Sequence, residues 1–128
     1  MRGRFLGSSE PYAAVRGSLR QIARDRHEDF NLVDDYNRYN GVHLSSCVLE
    51  TMLEMSLWFS AGIGEQRSGQ YLMSRDISAQ DLDWLKFNPV IGYAGRNRSV
   101  FTHTDCMDVK AATPVLKEIL EDRSDTEL

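Results

Sequence analysis

Both cysteines of this chain follow a histidine at short range, His43 with Cys47 in HLSSC and His103 with Cys106 in HTDC. Two such pairs supply the four ligands of a tetrahedral zinc site, since thiolate and imidazole are the groups zinc prefers. Structural zinc sites, however, usually set Cys beside Cys on tight turns, which neither segment offers. The same residues supply a thiol nucleophile with its base: Cys106 with His43, or Cys47 with His103 oriented by Asp105. A third chemistry, metal-free RNA cleavage, would use two of His27, His43 and His103 as acid and base, with Arg96 and Arg98 on the phosphate. Against all three stands the ordinary behaviour of cysteine thiols, which are among the most buried groups in proteins and mostly just pack. These residues therefore yield no assigned catalytic residue, no metal and no cofactor.

Other motif candidates are weaker. GIGEQRSG superficially resembles a phosphate-cradling loop, but Arg67 stands where GxGxxG needs its third glycine, and no Gly-Lys-Ser/Thr follows. It reads as a flexible connector. Neither GxSxG nor HExxH occurs. Two cysteines are too few for a disulfide scaffold and point to a reducing compartment, although a single Cys47–Cys106 bridge stays open by sequence.

The distribution of charge is more informative. Residues 1–27 carry six arginines against Glu10 and Asp25, a local balance of +4, whereas the whole chain of 128 residues is at −4. After position 104, Asp105, Asp108, Glu118, Glu121, Asp122, Asp125 and Glu127 face only Lys110, Lys117 and Arg123. Asp81 and Asp83 form a further acidic pair. Acid-rich surfaces draw cationic partners by electrostatic steering, which is how inhibitors cover basic nucleases. The same acidity repels a polyanion, and no aromatic residues interleave the basic ones as they do on single-strand platforms, so nucleic acid is disfavoured as a partner.

The elements that must position these residues follow from periodicity and punctuation. Ser8 or Ser9 with Pro11 predicts a helix to about His27, with Tyr12, Val15, Leu19, Ile22 and Ala23 on one face and Arg16, Arg20 and Arg24 beside it. Residues 27–41 suggest a short helix through Phe30, Leu32, Val33, Tyr36 and Tyr39, ending near Asn40 and Gly41. Residues 47–60 fit two periods, but Leu, Met and Glu dominate and β-branched residues are few, so the segment leans to a helix. Ser45 or Ser46 would cap it, Gly62 would end it, and Val48, Leu49, Met52, Leu53, Met55 and Phe59 would form its stripe. Residues 70–74 read as extended. Ser78 with Asp81, bracketed by Ile77 and Leu82, is a capping box with its staple and predicts a helix over 78–87, stopped by Asn88 and Pro89. Segments 90–94 and 99–104 read as a β-hairpin with a turn over 95–98. Thr113 and Pro114 would open a last helix with Val115, Leu116, Ile119 and Leu120 on its core side, leaving residues 123–128 as a frayed tail.

The expected fold is thus α+β, a single globular domain with about four helices around a small antiparallel sheet and with residues 1–7 frayed. Should 42–59 be strand instead, the order helix, strands, helix, strands, helix resembles the small acidic chaperones of bacterial secretion systems, which are normally dimers. The longest apolar run, 55–63, is far short of the ~20 residues that a membrane span needs, and no signal-like stretch follows the start, so the protein is expected to be cytoplasmic. The leading functional expectation is a non-enzymatic protein-binding protein, of the immunity or antitoxin type, that inhibits a cationic toxin domain. Its contacts with the partner's basic surface would come from Asp81, Asp83, Glu118, Glu121 and Asp122. The alternatives are a small Cys/His-dependent hydrolase or nuclease, and the secretion-type chaperone.

Overall fold

A computed structural model describes residues 2–32 and 41–126, and the fold is α+β. The described residues form seven α-helices, five of them seven residues or longer, and one two-stranded antiparallel sheet. The chain divides into two compact units, Met1–Leu44 and Ser45–Leu128. The division also separates charge: the first unit carries seven arginines against six acids, the second thirteen acids against eight Lys and Arg. No helix among the described residues is long and apolar enough to cross a membrane.

In the first unit the single helix expected over residues 8–27 is broken. Its pieces are α1 (Arg2–Phe5), a 3-10 turn at Pro11–Ala13 and α2 (Leu19–Asp25). Gly17 adopts φ +83, and the fully buried Ser18 restarts the chain as an N-cap, its hydroxyl accepting from Gln21 N. A glycine in the left-handed region followed by a capping serine competes well with helix continuation, because glycine is a poor helix former. The expected apolar face is lost with the helix. Tyr12, Val15, Leu19 and Ile22 are exposed, and of that face only Ala23 is buried. Of the stretch expected to be frayed, Leu6 is buried and its carbonyl accepts from Arg20 N at 3.0 Å.

Three arginines there, Arg20, Arg24 and Arg26, are engaged within the unit itself. Arg20 donates from Nη1 to Gly7 O at 3.1 Å and from Nη2 to Val42 O at 3.2 Å. Arg24 pairs with Asp25 at 2.6 Å and lies over the Tyr12 ring, while Arg26 pairs with Asp29 at 2.7 Å. The hydrogen bond from Arg24 holds the Asp25 carboxyl below its ordinary range. Over the described start of the segment expected to be helical, 27–41, turns run from residue 26 to 31. Val33, Tyr36, Tyr39 and Asn40 lie outside the described residues.

The second unit contains the larger core. Segment 47–60 is a helix as its composition suggests, α3 (Val48–Phe59), with Leu49 and Met52 buried and Val48 and Leu53 partly so. With α3 helical, the strand-based element order that resembled secretion chaperones does not form. Cys47, not Ser45 or Ser46, is the N-cap, and Ser60 at φ +54, not Gly62, ends the helix. Met55 and Phe59 are exposed, contrary to expectation, as are Leu57 and Trp58 between them.

GIGEQRSG is not a connector and residues 70–74 are not extended. A 3-10 turn at Ile63–Glu65 leads directly into α4 (Arg67–Met73), with Gly69 and Leu72 buried. Gly69 is where the turn touches the helix: a Cβ there would lie 2.9 Å from the Ile63 carbonyl carbon and closer still to its oxygen. Gln66 fixes the same corner, its Nε2 lying 2.9 Å from Met52 O, 3.0 Å from Ala61 O and 3.2 Å from Ser56 Oγ.

The capping-box helix forms as read, α5 (Ala79–Leu85), with Ile77 and Leu82 both buried as its staple. The hairpin is shorter than expected. β1 (Val90–Tyr93) pairs with β2 (Arg96–Ser99) in the register Val90↔Ser99 and Tyr93↔Arg96. Its two-residue turn, Ala94 at φ +50 and Gly95 at φ +72, has both centres left-handed, the type I′ geometry that matches strand twist. Residues 100–103 then leave the ladder. Ser99 caps α6 (Val100–His103), accepting from Thr102 N, and Asn88 Oδ1 accepts from Phe101 N at 2.8 Å.

The last helix, α7, spans Val109–Thr126 and starts four residues before the expected cap. Asp108 Oδ1 accepts from Lys110 N and Ala111 N, both at 2.9 Å, and so supplies the cap. Pro114 is the sixth residue of the helix, past its first turn, and so forgoes the hydrogen bond that an N–H there would donate to the carbonyl of Lys110. The expected frayed tail is helical to Thr126, while Glu127 and Leu128 lie outside the described residues.

Candidate functional site

α7 is built as a rooted helix with one face left to solvent. Ala112, Leu116 and Ile119, at i, i+4 and i+7, are buried in the core of the second unit, and Leu120 packs beside them. The opposite face presents Glu118, Glu121 and Asp122, all exposed, at i, i+3 and i+4. Three carboxylates on one face of a packed helix keep a fixed spacing that side chains on a loop would not. Glu118 accepts from the Tyr93 hydroxyl at 2.8 Å, which ties the row to β1. That hydrogen bond, with desolvation and then the charges of Glu118 and Asp122, raises the Tyr93 phenol above its ordinary value. Near the end of the row, Arg123 stacks over the Trp84 ring at 4.4 Å, and Lys117 pairs with Asp76 at 3.3 Å.

The two acids of α5 serve differently. Asp81 accepts at Oδ2 from Ser78 N at 3.1 Å and from Ser78 Oγ at 2.6 Å, so its carboxylate holds the start of its own helix. Asp83 is ion-paired to Lys86 three residues on. Of the five acids singled out by sequence, Asp81 and Asp83 are engaged within their own short helix, and the α7 three form the continuous row, with Glu118 accepting from Tyr93. Periodicity alone could not separate the groups, although the capping box already implied that Asp81 would be occupied.

The residues with covalent chemistry are placed apart in role. His43 belongs to the first unit, and Cys47, His103 and Cys106 to the second. Cys47 is buried in the core at 5 % exposure, whereas Cys106 is exposed, its thiol donating to Asp105 Oδ1 at 3.5 Å. His103 Nε2 lies 3.3 Å from Ile91 O, and its ring meets Tyr93 edge-on. Among the described residues no group of three His, Cys, Asp or Glu side chains is arranged to hold a metal ion. A cavity of about 280 Å³ in the second unit is lined by Ser46, Glu50, Asn88, Ser99, Thr102 and Asp105 among others. Several of its polar groups are already used: Glu50 accepts from Ser46 N, Asn88 from Phe101 N, and Ser99 from Thr102 N.

Sequence reasoning missed Tyr93, Gln66 and Arg123. Each acts across more than ten residues or through a ring face, and local spacing carries no signal for that. The chain matches no protein-family model and has no significant match among curated proteins or solved structures, so function must be argued from its own chemistry.

Proposed function

We propose that this chain is a non-enzymatic binding protein whose α7 acid row docks a protein partner with a basic surface. Its most specific form is an immunity- or antitoxin-type inhibitor covering a cationic toxin domain. The observation that carries the reading is the row itself: Glu118, Glu121 and Asp122 exposed on one face of a helix whose other face is rooted by Ala112, Leu116 and Ile119. The row belongs to the unit with thirteen acids against eight basic residues, so the field around it attracts cations and accelerates encounter with a basic surface. Asp81 and Asp83 add long-range charge to that field but are engaged locally, and they are not assigned direct contacts.

The reading is tested by carrying Glu118→Gln, Glu121→Gln and Asp122→Asn together and measuring affinity for the partner across a salt series. These changes keep side-chain shape and the acceptor for Tyr93 while removing three charges. The triple variant is expected to bind more weakly, mainly through slower association, and to show a shallower salt dependence. Equal affinity and equal salt slope for both proteins would refute the assignment.

A further inference from the structure

We infer that Cys47 and Cys106 form a redox couple within the second unit, with Cys106 as the entry thiol, Cys47 as the resolving thiol and a small disulfide of the glutathione class as the oxidant. The two lie 59 positions apart in sequence, yet Cys106 N donates to Ser46 O at 3.0 Å. That bond sets an upper limit on the spacing of the cysteines. The Ser46 oxygen lies about 2.8 Å from the next Cα, and the Cys106 Cα is one bond of about 1.5 Å beyond the donor nitrogen, so the two Cα atoms are at most about 7.3 Å apart, and closer wherever that path bends. Bridged cysteines have Cα separations of about 4.4–6.8 Å.

Their exposures divide the labour. Cys106 is exposed and accessible to a soluble disulfide, whereas Cys47, at 5 % exposure, is sheltered from one. Cys106 sits at φ +60 in the connection between α6 and α7, a left-handed conformation unusual for a residue with a Cβ. Its thiol faces solvent beside Asp105, so closing the bridge turns this residue inward. Cys106 lies between α6 and α7, outside both helices, so the rotation falls in the connecting turn.

The chemistry balances in two exchanges. The Cys106 thiolate attacks one sulfur of the small disulfide, forming a mixed disulfide and releasing one small thiolate. The Cys47 thiolate then attacks Cys106 Sγ, forming the internal bond and releasing the second. Two protein thiols are oxidised, one small disulfide is reduced to two thiols, and the protein's two protons end on the released thiolates. The product joins the N-cap of α3 to the residue two before Asp108, the cap of the acid-bearing helix α7. The couple stands whether or not the α7 row binds a partner.

The test uses the whole chain, reduced and then incubated with glutathione disulfide near neutral pH, followed by intact mass, peptide mapping and alkylation in denaturant. Expected are a mass lower by two hydrogens, no alkylatable thiol, migration as a monomer on a non-reducing gel, and a melting temperature above that of the reduced protein. Cys47→Ala is expected to stop at a stable glutathione adduct on Cys106. Wild-type protein that accumulates that adduct with Cys47 still alkylatable, or that crosslinks into dimers through Cys106, would overturn the inference. The wild-type mass and map decide the matter even if Cys47→Ala fails to fold.

Discussion

Gly69→Ala places one methyl group where α4 meets the turn Ile63–Glu65. The new Cβ would sit 2.9 Å from the Ile63 carbonyl carbon, nearer still to its oxygen, and 3.4 Å from Ile63 Cγ2. The obstacle is backbone, so no rotamer change relieves it, and the turn or the helix must move by roughly an ångström. Movement is opposed by Gln66, whose amide donates to Met52 O, Ser56 Oγ and Ala61 O on and after α3. Overpacking of this kind costs about 1–3 kcal/mol, and breaking any one of those hydrogen bonds adds about 1 kcal/mol. Replacing a helical glycine by alanine returns at most about 1 kcal/mol. The net is a destabilisation of about 1–3 kcal/mol, which for a unit of this size lowers the melting temperature by roughly 5–15 °C. Gly92→Ala is the control, because nothing lies within 4 Å of its Cβ position, and it should fall within about 0.5 kcal/mol of wild type. Urea and thermal unfolding of the three proteins measure this. A Gly69→Ala protein as stable as wild type would refute the packing described for α4.

Three further outcomes follow from individual residues. Ala94→Asn creates the Asn-Gly pair that a type I′ turn prefers and should raise stability by about 0.5–1 kcal/mol in urea unfolding; a loss would show that Ala94 is not left-handed. Asp108→Ala removes the acceptor of Lys110 N and Ala111 N and should cost about 1 kcal/mol, whereas Thr113→Ser, at the cap position favoured by sequence, should cost less. Tyr93 should ionise above its ordinary value of 10.0 because its hydroxyl donates to Glu118. A raised folded-state value means that this contribution to stability is complete below pH 10.0 and is lost as pH rises through the folded value. Ultraviolet phenolate titration of wild type and Tyr93→Phe reads it directly, and removal of a step at or below 10.0 would contradict the hydrogen bond.

Local signals specify structure well wherever they close within a few residues. The Ser78–Asp81 box with its Ile77–Leu82 staple determines α5 almost completely, and the Leu, Met and Glu content of 47–60 outweighs its equally good strand alternation. Competing local signals mislead. Pro114 draws the expected start of α7 to Thr113, though Asp108 immediately precedes the apolar periodicity and can cap it. Gly17 resembles a tolerable weak point in one helix, but with Ser18 behind it the chain breaks and starts again. The glycines of GIGEQRSG suggest flexibility, yet Gly69 is required by a close backbone approach that only the tertiary structure reveals. Within the candidate site, the α7 row is legible as i, i+3 and i+4 acids, and the engagement of Asp81 is implied by its own capping box. Tyr93 on Glu118, 25 residues apart, is not legible, because no local period connects a strand residue to a helix that follows it.

Affinity capture from the source cell at low and high salt reads directly whether the α7 row meets a basic protein surface. Wild-type chain is compared there with the Glu118→Gln, Glu121→Gln, Asp122→Asn variant. Wild type is expected to retain a basic protein at low salt and release it at high salt, and the variant, with an unchanged melting temperature, is expected to fail to retain it. Equal retention by both proteins, or a partner whose binding is indifferent to salt, would contradict it.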